Sequence, residues 1–274
     1  MGLLGVQFCC QLAFGVLFAM AFVPKAPVGV LFYRVMGSSA LAIVGAALAA
    51  SLATGSTTFD HPAVISGGLA IVTYPFYSGP VRGRRWGFAL GLALLGTALA
   101  VVFSIAEIGS LPVQPENPFE PVERQPLSWF GLALASLSAL ATGAVAGGVG
   151  LAMVLGHWYL TVPNLAVSHL ARLNRVTVGA LVASLGLLLL ILGVYYAPLS
   201  ELSPTLFSSM GTLHLGARVA VGLVLPLVFA WMVTGSLTYK NTRSATGILY
   251  ASTVLVLIGA ALAVSLQDTY GIPL

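Results

Sequence analysis

Residues 175–198 read RVTVGALVASLGLLLLILGVYYAP, and after Arg175 this stretch contains no charged residue. A transmembrane helix needs about 20 mainly apolar residues to cross the hydrocarbon core of a bilayer. The stretch therefore predicts a membrane span. Seven further stretches are comparably apolar, at 4–23, 27–53, 62–78, 86–108, 129–160, 212–237 and 244–266. Together they predict an all-α integral membrane protein, a bundle of about eight transmembrane helices.

The composition argues against a water-soluble globular fold. Hydrophobic residues make up 58% of the 274 residues, charged residues make up 7%, and the mean hydropathy is +1.01. A soluble domain carries roughly a quarter charged residues, so the lipid bilayer is the expected surrounding of this chain. The net charge of +4 is spread over short loops. Nucleic-acid binding needs a clustered basic patch, so no nucleic-acid partner is expected.

The charges between the predicted spans alternate in sign along the chain. Basic loops face the cytoplasm, so the alternation predicts that the N-terminus and the C-terminus both lie on the non-cytoplasmic side of a bacterial plasma membrane. The basic loops contain Lys25, Arg82, Arg84, Arg85, Arg172, Lys240 and Arg243. The alternate loops and the tail contain Asp60, Glu116, Glu120, Glu123, Arg124, Glu201 and Asp268.

The sequence shows no convincing internal repeat, so it predicts a single transmembrane domain over residues 1–274. Its most prominent loop, at about 109–128, contains five prolines and three glutamates. This composition is typical of an aqueous loop, and the topology places it outside the cytoplasm. A proline-rich segment is stiff, so the loop is a candidate docking element for a partner subunit.

A first candidate site lies at the predicted outer end of the seventh span. His214 and Arg218 are four residues apart and so share one helix face, which Gly211 and Gly222 extend. Ionisable groups at membrane depth are rare and are functional candidates by default. Arg218 needs an anion, and Glu107 is the carboxylate expected at comparable depth. An Arg218–Glu107 pair that only fixes helix packing is the alternative to a ligand site.

A second candidate site lies at the predicted inner end of the fifth span. The residues that follow one another there at steps of three and four are Gly143, Ala146, Gly150, Met153 and His157. They form one helix face, and small residues allow a neighbouring helix to approach closely. The pattern predicts that His157 points into the protein. An interfacial histidine bonded to a backbone carbonyl is the alternative.

Haem iron in membrane proteins is commonly held by axial histidines. The hydrocarbon core is about 30 Å thick, so His157 and His214, at opposite ends, cannot ligate the same iron. A bis-histidine haem would have to pair His214 with His61 at the outer end, or His157 with His169 at the inner end. Arg218 would neutralise a haem propionate or polarise a quinone carbonyl. The candidate metal ligands are His157 and His214, and the further candidate cofactor-binding residues are Arg218, Glu107, His61 and His169.

These groups predict an integral membrane subunit of an electron-transfer complex, respiratory or photosynthetic in type, that binds quinone, haem b or both. Other membrane-protein subunits are its expected partners. A cofactor-free structural or assembly subunit is the first alternative. A small-solute transporter is the second, although carriers place polar groups at the midplane, which is almost wholly apolar here. No nucleotide-binding, nucleophile-elbow or zinc-protease motif occurs, so no catalytic residue is assigned and a stand-alone enzyme is not favoured.

Overall fold

The computed structural model of this chain describes residues 2–80, 83–113, 123–162, 165–201 and 206–274. The predicted loop charges Arg82, Glu116 and Glu120 lie outside these ranges, so their placement on the two sides of the bundle stays a prediction.

Helices make up most of the described chain. They are α1 (Leu3–Met20), α2 (Lys25–Val28), α3 (Val30–Ala53), α4 (Pro62–Ser78), α5 (Arg84–Ile108), α6 (Trp129–Thr161), α7 (Ser168–Val194), α8 (Tyr196–Glu201), α9 (Ser209–Val219), α10 (Leu225–Thr238) and α11 (Thr242–Tyr270). A π-helical segment, Ala220–Val224, joins α9 to α10 without a break. The loop predicted at 109–128 contains a short antiparallel hairpin of β1 (Ser110–Val113) and β2 (Glu123–Pro126).

The helical prediction is confirmed, and seven helices of the described chain are long and apolar enough to cross a membrane, with α9 and α10 counted as one. The eighth predicted span is α4, which has 17 residues and is shorter than the length of about 20 residues that a crossing usually needs. The boundaries shift most at α7, which begins at Ser168 and not at 175. Hydropathy marks where a helix enters lipid, whereas the helix itself continues through the polar residues before that point.

Side-chain caps fix where several of these helices begin. Ser128 and Ser208 accept hydrogen bonds from the backbone amides of the third residue beyond them, at the starts of α6 and α9. Asn241 caps α11 in the same way. The first turn of a helix has amides with no helical acceptor, and such oxygen side chains satisfy them. The caps therefore stop the long helices at the bundle ends.

The long helices form two rings of four. In the first ring α1 contacts α3, α3 contacts α4, α4 contacts α5, and α5 returns to α1. In the second ring α6 contacts α7, α7 contacts α10, α10 contacts α11, and α11 returns to α6. Both rings therefore follow the same order along the chain, and each returns the chain to the end of the bundle where it began.

Matching sequence segments occupy equivalent places in the two rings. Residues 96–101 of α5 read GTALAV and residues 259–264 of α11 read GAALAV. In each ring the leading glycine packs on the preceding helix: Gly96 lies against Ser66, and Gly259 lies against Gly222. The two rings thus share a helix order and one short packing segment. These short segments do not test the expectation that the chain has no convincing internal repeat, which stays a prediction.

The two rings meet where α1 crosses α6. A Cβ atom at Gly15 would lie 1.7 Å from the main-chain oxygen of Gly143, and one at Gly147 would lie 2.0 Å from the main-chain carbon of Gly15. Two backbones can approach this closely only through glycine. The prediction that Gly143 belongs to a helix–helix interface is confirmed. Its partner is the first helix of the chain.

The two ends of the bundle differ in charge. The first and last helices meet at one end, where the Gln7 and Gln267 side-chain amides exchange two hydrogen bonds of 2.7 Å. Among the described residues, the acidic side chains Asp60, Glu107 and Asp268 belong to helix ends and loops at this end. The opposite end contains Lys25, Arg34, Arg84, Arg85, Arg172, Arg175, Lys240 and Arg243. We call these the acidic end and the basic end.

We expect Gly147→Ala to destabilise the protein by at least ~2 kcal/mol, because its methyl group would overlap the backbone of α1 and force the helices apart. The matched control is Gly150→Ala on the same helix, where an added Cβ meets nothing within 4 Å. Thermal unfolding of the purified protein in detergent measures the difference. Equal melting temperatures for the two variants would contradict the interface.

Candidate functional site

Arg218 lies deep inside the second ring. Its side chain is 2% exposed and comes from the end of α9, immediately before the π-helical segment. Its Nη2 donates hydrogen bonds to the Thr142 hydroxyl on α6, at 2.9 Å, and to the Ser184 hydroxyl on α7, at 3.3 Å. Its Nε donates to the main-chain oxygen of Leu274, at 3.3 Å. Three oxygen atoms from three parts of the chain thus surround the guanidinium group.

Local backbone irregularity makes room for this side chain. Pro226 cannot donate a backbone hydrogen bond to the preceding turn, and the helix accommodates it with the π-helical segment at 220–224. Gly222 in this segment packs against Gly259 of α11, and a Cβ at Gly222 would lie 2.8 Å from Arg218 Nη1. Gly222, which the sequence places on the same helix face as Arg218, is thus a point of close helix approach.

The expected Arg218–Glu107 pair does not form. Glu107 ends α5 in the first ring, and its Oε2 lies 2.6 Å from His61 Nε2. Among the described side chains no Asp or Glu forms an ion pair with Arg218, and the ion pair found there is His61–Glu107. The sequence predicted that Arg218 and Glu107 lie at the same depth in the membrane, but the two residues belong to different rings. A packing pair in which Arg218 and Glu107 neutralise each other therefore does not explain the buried position of Arg218.

His61 joins two helices at the acidic end. Its Nδ1 accepts a hydrogen bond from the backbone amide of Ala63 at 3.2 Å and so caps α4. Because Nδ1 is the acceptor, Nε2 carries the proton that is donated to Glu107. Both ring nitrogens are thereby used in joining the start of α4 to the end of α5. Ligation of iron by His61 would require one of these bonds to break.

His214 does not share the environment of Arg218. Its side chain is exposed, whereas Gly211 and Arg218 on the same helix are buried. Residues at steps of three and four are displaced by tens of degrees around a helix, so His214 falls just outside the buried face. The predicted polar stripe is therefore split between an interior arginine and a surface histidine.

His157 also lies on the surface, which contradicts the prediction that it points into the protein. Its side chain is exposed, and its Nδ1 lies 3.4 Å from the Tyr250 hydroxyl of α11. The small-residue face loses its neighbour along α6: Gly143 meets α1, whereas a Cβ at Gly150 would meet nothing within 4 Å. The stripe drawn from sequence thus does not stay on one buried face as far as His157.

Within the described chain no hydrogen bond joins His61 to His214 or His157 to His169. His61 contacts Glu107 and His157 approaches Tyr250, while His169 is half-buried at the start of α7 and His214 is exposed on α9. In the part of the chain that is described, no group of three His, Cys, Asp or Glu side chains could hold a metal ion. The metal-ligand assignments to His157 and His214 thus gain no support from a converging ligand set within the described chain.

The last described residues form a part of the site that the sequence did not predict. After α11, Gly271 adopts a positive φ of 78°, a conformation that favours glycine. The chain then turns back into the bundle, where Ile272 and Leu274 are each 1% exposed. A Cβ at Gly271 would lie 1.6 Å from the main-chain oxygen of Ser110. This turn carries the Leu274 oxygen to Arg218.

Thr142, Ser184 and Leu274 were missed because isolated hydroxyl and aliphatic residues carry no motif. A further polar contact was missed at the basic end, where Lys25 was assigned to a loop. Its ammonium group donates a hydrogen bond to the main-chain oxygen of Gly79 and lies 5.2 Å from the ring centre of Tyr33. Such a cation–π contact contributes to holding the group in place.

No protein-family model, curated protein or solved structure matches this chain. The case for a function therefore depends on the geometry of its own residues.

We expect Arg218→Met and Thr142→Val to be non-additive in their effects on the free energy of unfolding, with a coupling of ~0.5–3 kcal/mol, because their side chains share a hydrogen bond. Arg218→Met and Glu107→Gln should be additive to within ~0.5 kcal/mol, because these residues have separate partners. Unfolding of the single and double variants in detergent tests both statements. Coupling of Arg218 to Glu107 would restore the packing pair.

Proposed function

We propose that this chain is an integral membrane subunit of an electron-transfer complex and that it binds a quinone headgroup at Arg218. The observation that carries the proposal is a guanidinium group buried in the bundle that donates to two hydroxyl oxygens and to the main-chain oxygen of Leu274, with no described Asp or Glu side chain paired to it. A buried guanidinium group is costly in a membrane interior and marks a candidate functional site. A ligand oxygen that accepts its hydrogen bonds would compensate part of that cost.

The donor arrangement suits a quinone carbonyl. Nε and Nη2 already donate to oxygen atoms, whereas Nη1 has no acceptor in the described residues and lies beside Gly222 and Gly259. A guanidinium group donates in a fixed planar fork and would stabilise negative charge on a quinone oxygen during reduction. The electrons would come from a partner subunit. The apolar residues of the second ring would surround the ring and tail of the quinone.

The Leu274 oxygen occupies one of the positions that a quinone oxygen would take on Arg218. A quinone oxygen at Nη1 leaves this bond intact, and removal of the segment 271–274 would free Nε as an additional donor. A variant that lacks this segment therefore provides a second test of the proposal and leaves the arginine unchanged.

Haem binding has weaker support than quinone binding. Each of the four histidines lies in a separate environment, and His61 uses both ring nitrogens within the chain. A b-type haem would need its second axial ligand from a partner subunit. The exposed His157 and His214 are the residues that could offer one.

A cofactor-free structural subunit is the second candidate function, and the hydrogen bonding of the buried polar atoms favours it. Apart from Ser136 Oγ, the fully buried side-chain nitrogen and oxygen atoms of the described residues have hydrogen-bond partners. Under this account the three oxygen atoms around Arg218 are sufficient to stabilise it inside the bundle. The β1–β2 hairpin would dock a partner subunit.

We further propose eight membrane spans, with α4 as the eighth, and both termini outside the cytoplasm of a bacterial cell. The Gln7–Gln267 contact supports an even number of crossings, since it joins the first and last helices at one end. The basic residues gathered at the other end support a cytoplasmic position for that end.

Impermeant-maleimide labelling of single cysteines tests this topology. In a Cys9→Ser, Cys10→Ser background, Asp60→Cys should react in intact cells, and Lys240→Cys should react only after permeabilisation. Both replaced side chains are exposed, so access depends on the side of the membrane. Labelling of the two cysteines from the same side would contradict the span count.

We expect Arg218→Met to weaken binding of a short-tailed quinone, decylubiquinone, at least about tenfold, which corresponds to ~1.4 kcal/mol. The variant should remain folded, since apolar replacement of a buried charge is often tolerated. His157→Ala is the control, because His157 is exposed elsewhere. A variant ending at Tyr270 should bind more tightly than the parent. Quenching of tryptophan fluorescence gives the affinities, and unchanged binding by Arg218→Met would leave the structural subunit as the better account.

A further inference from the structure

A groove at the basic end of the bundle lies between α4 and α5 on the outer surface of the first ring. Its volume is about 490 Å³, and its lining includes Thr73, Phe76, Arg84, Arg85, Phe88 and Leu92. It is separate from Arg218, which belongs to the second ring. From this groove we propose that the protein binds one anionic phospholipid of the cytoplasmic leaflet, with its phosphate on Arg84 and Arg85 and an acyl chain on the aromatic side chains below.

The two arginines are available for a ligand. Arg84 and Arg85 are both exposed, and within the described ranges neither guanidinium group has a hydrogen bond or an ion pair. The cation Lys25, at the same end, is instead buried against Tyr33 and Trp86. Adjacent guanidinium groups without a carboxylate partner suit a phosphate, which accepts several charge-assisted hydrogen bonds.

The polarity of the groove changes with depth as it does along a phospholipid. Arg84, Phe88 and Leu92 are spaced by four residues on α5, so they line one helix face from the bundle end inward. Phe88 is 70% exposed and Phe76, on the facing helix, is 54% exposed. The charged groups therefore lie at the headgroup level, and an apolar wall lies at the level of the acyl chains.

The charge distribution favours an anionic lipid over a zwitterionic one. The described acidic side chains Asp60, Glu107 and Asp268 belong to the acidic end, away from this groove. No described carboxylate lines the groove to receive a choline or ethanolamine group. Basic pockets between helices on the cytoplasmic side are the usual form of anionic-lipid sites.

The test compares three forms of the full chain in detergent: the parent, the Arg84→Gln/Arg85→Gln double variant, and the control Lys240→Gln/Arg243→Gln. The control removes the same charge at the same end but outside the groove. Native mass spectrometry and thermal unfolding are measured with added phosphatidylglycerol, phosphatidylcholine or inorganic phosphate.

We expect phosphatidylglycerol to bind and stabilise the parent and the control, with affinity roughly 30-fold weaker for the Arg84→Gln/Arg85→Gln variant. Phosphatidylcholine and inorganic phosphate should have little effect. Equal loss in the control would show a general charge effect and overturn the site. Stabilisation by inorganic phosphate alone would replace the lipid with a free anion. Phe88→Ser, which keeps both arginines, should also weaken phosphatidylglycerol binding, and unchanged binding would remove the proposed acyl-chain contact.

Discussion

The contact between α1 and α6 is the constraint on which the rest of the bundle depends. Gly15, Gly143 and Gly147 bring two parallel helix backbones together without intervening side chains. In lipid, where apolar burial gives little net drive for helix association, such close packing is a main source of attraction. Because α1 opens the first ring and α6 opens the second, this contact sets how both rings of four helices are placed.

Polar side chains are few inside this bundle, and they hydrogen-bond to one another or to the backbone. The amides of Gln7 and Gln267 satisfy each other, and Asn174 donates to the main-chain oxygen of Ala230 and to Thr234. Arg218 differs because it is a cation held by two hydroxyl groups and a main-chain oxygen. Unsatisfied groups are expensive in hydrocarbon, so hydroxyls on α6 and α7 are needed even where no ligand is bound. The same donors make the second ring the part of the chain best suited to an oxygen-bearing ligand.

The two bundle ends have separate tasks in this account. At the acidic end, His61–Glu107 and the chain reversal at Gly271 join neighbouring elements. At the basic end, Lys25 is enclosed by aromatic rings, whereas Arg84 and Arg85 remain open to the membrane surface. Buried and open cations at one end therefore have different roles: the first fixes helix packing, and the second can meet anionic lipid.

The sequence by itself determined the helical class, the approximate helix bounds, the separation of charge between loops and the close packing at Gly143, because hydropathy and residue size act locally. Only the tertiary structure decided the partners. It separated Arg218 from Glu107, moved His157 and His214 to the surface, and brought Thr142, Ser184 and Leu274 to one guanidinium group. These outcomes depend on which helices are neighbours and on rotations of tens of degrees around them, which spacing along the chain does not specify.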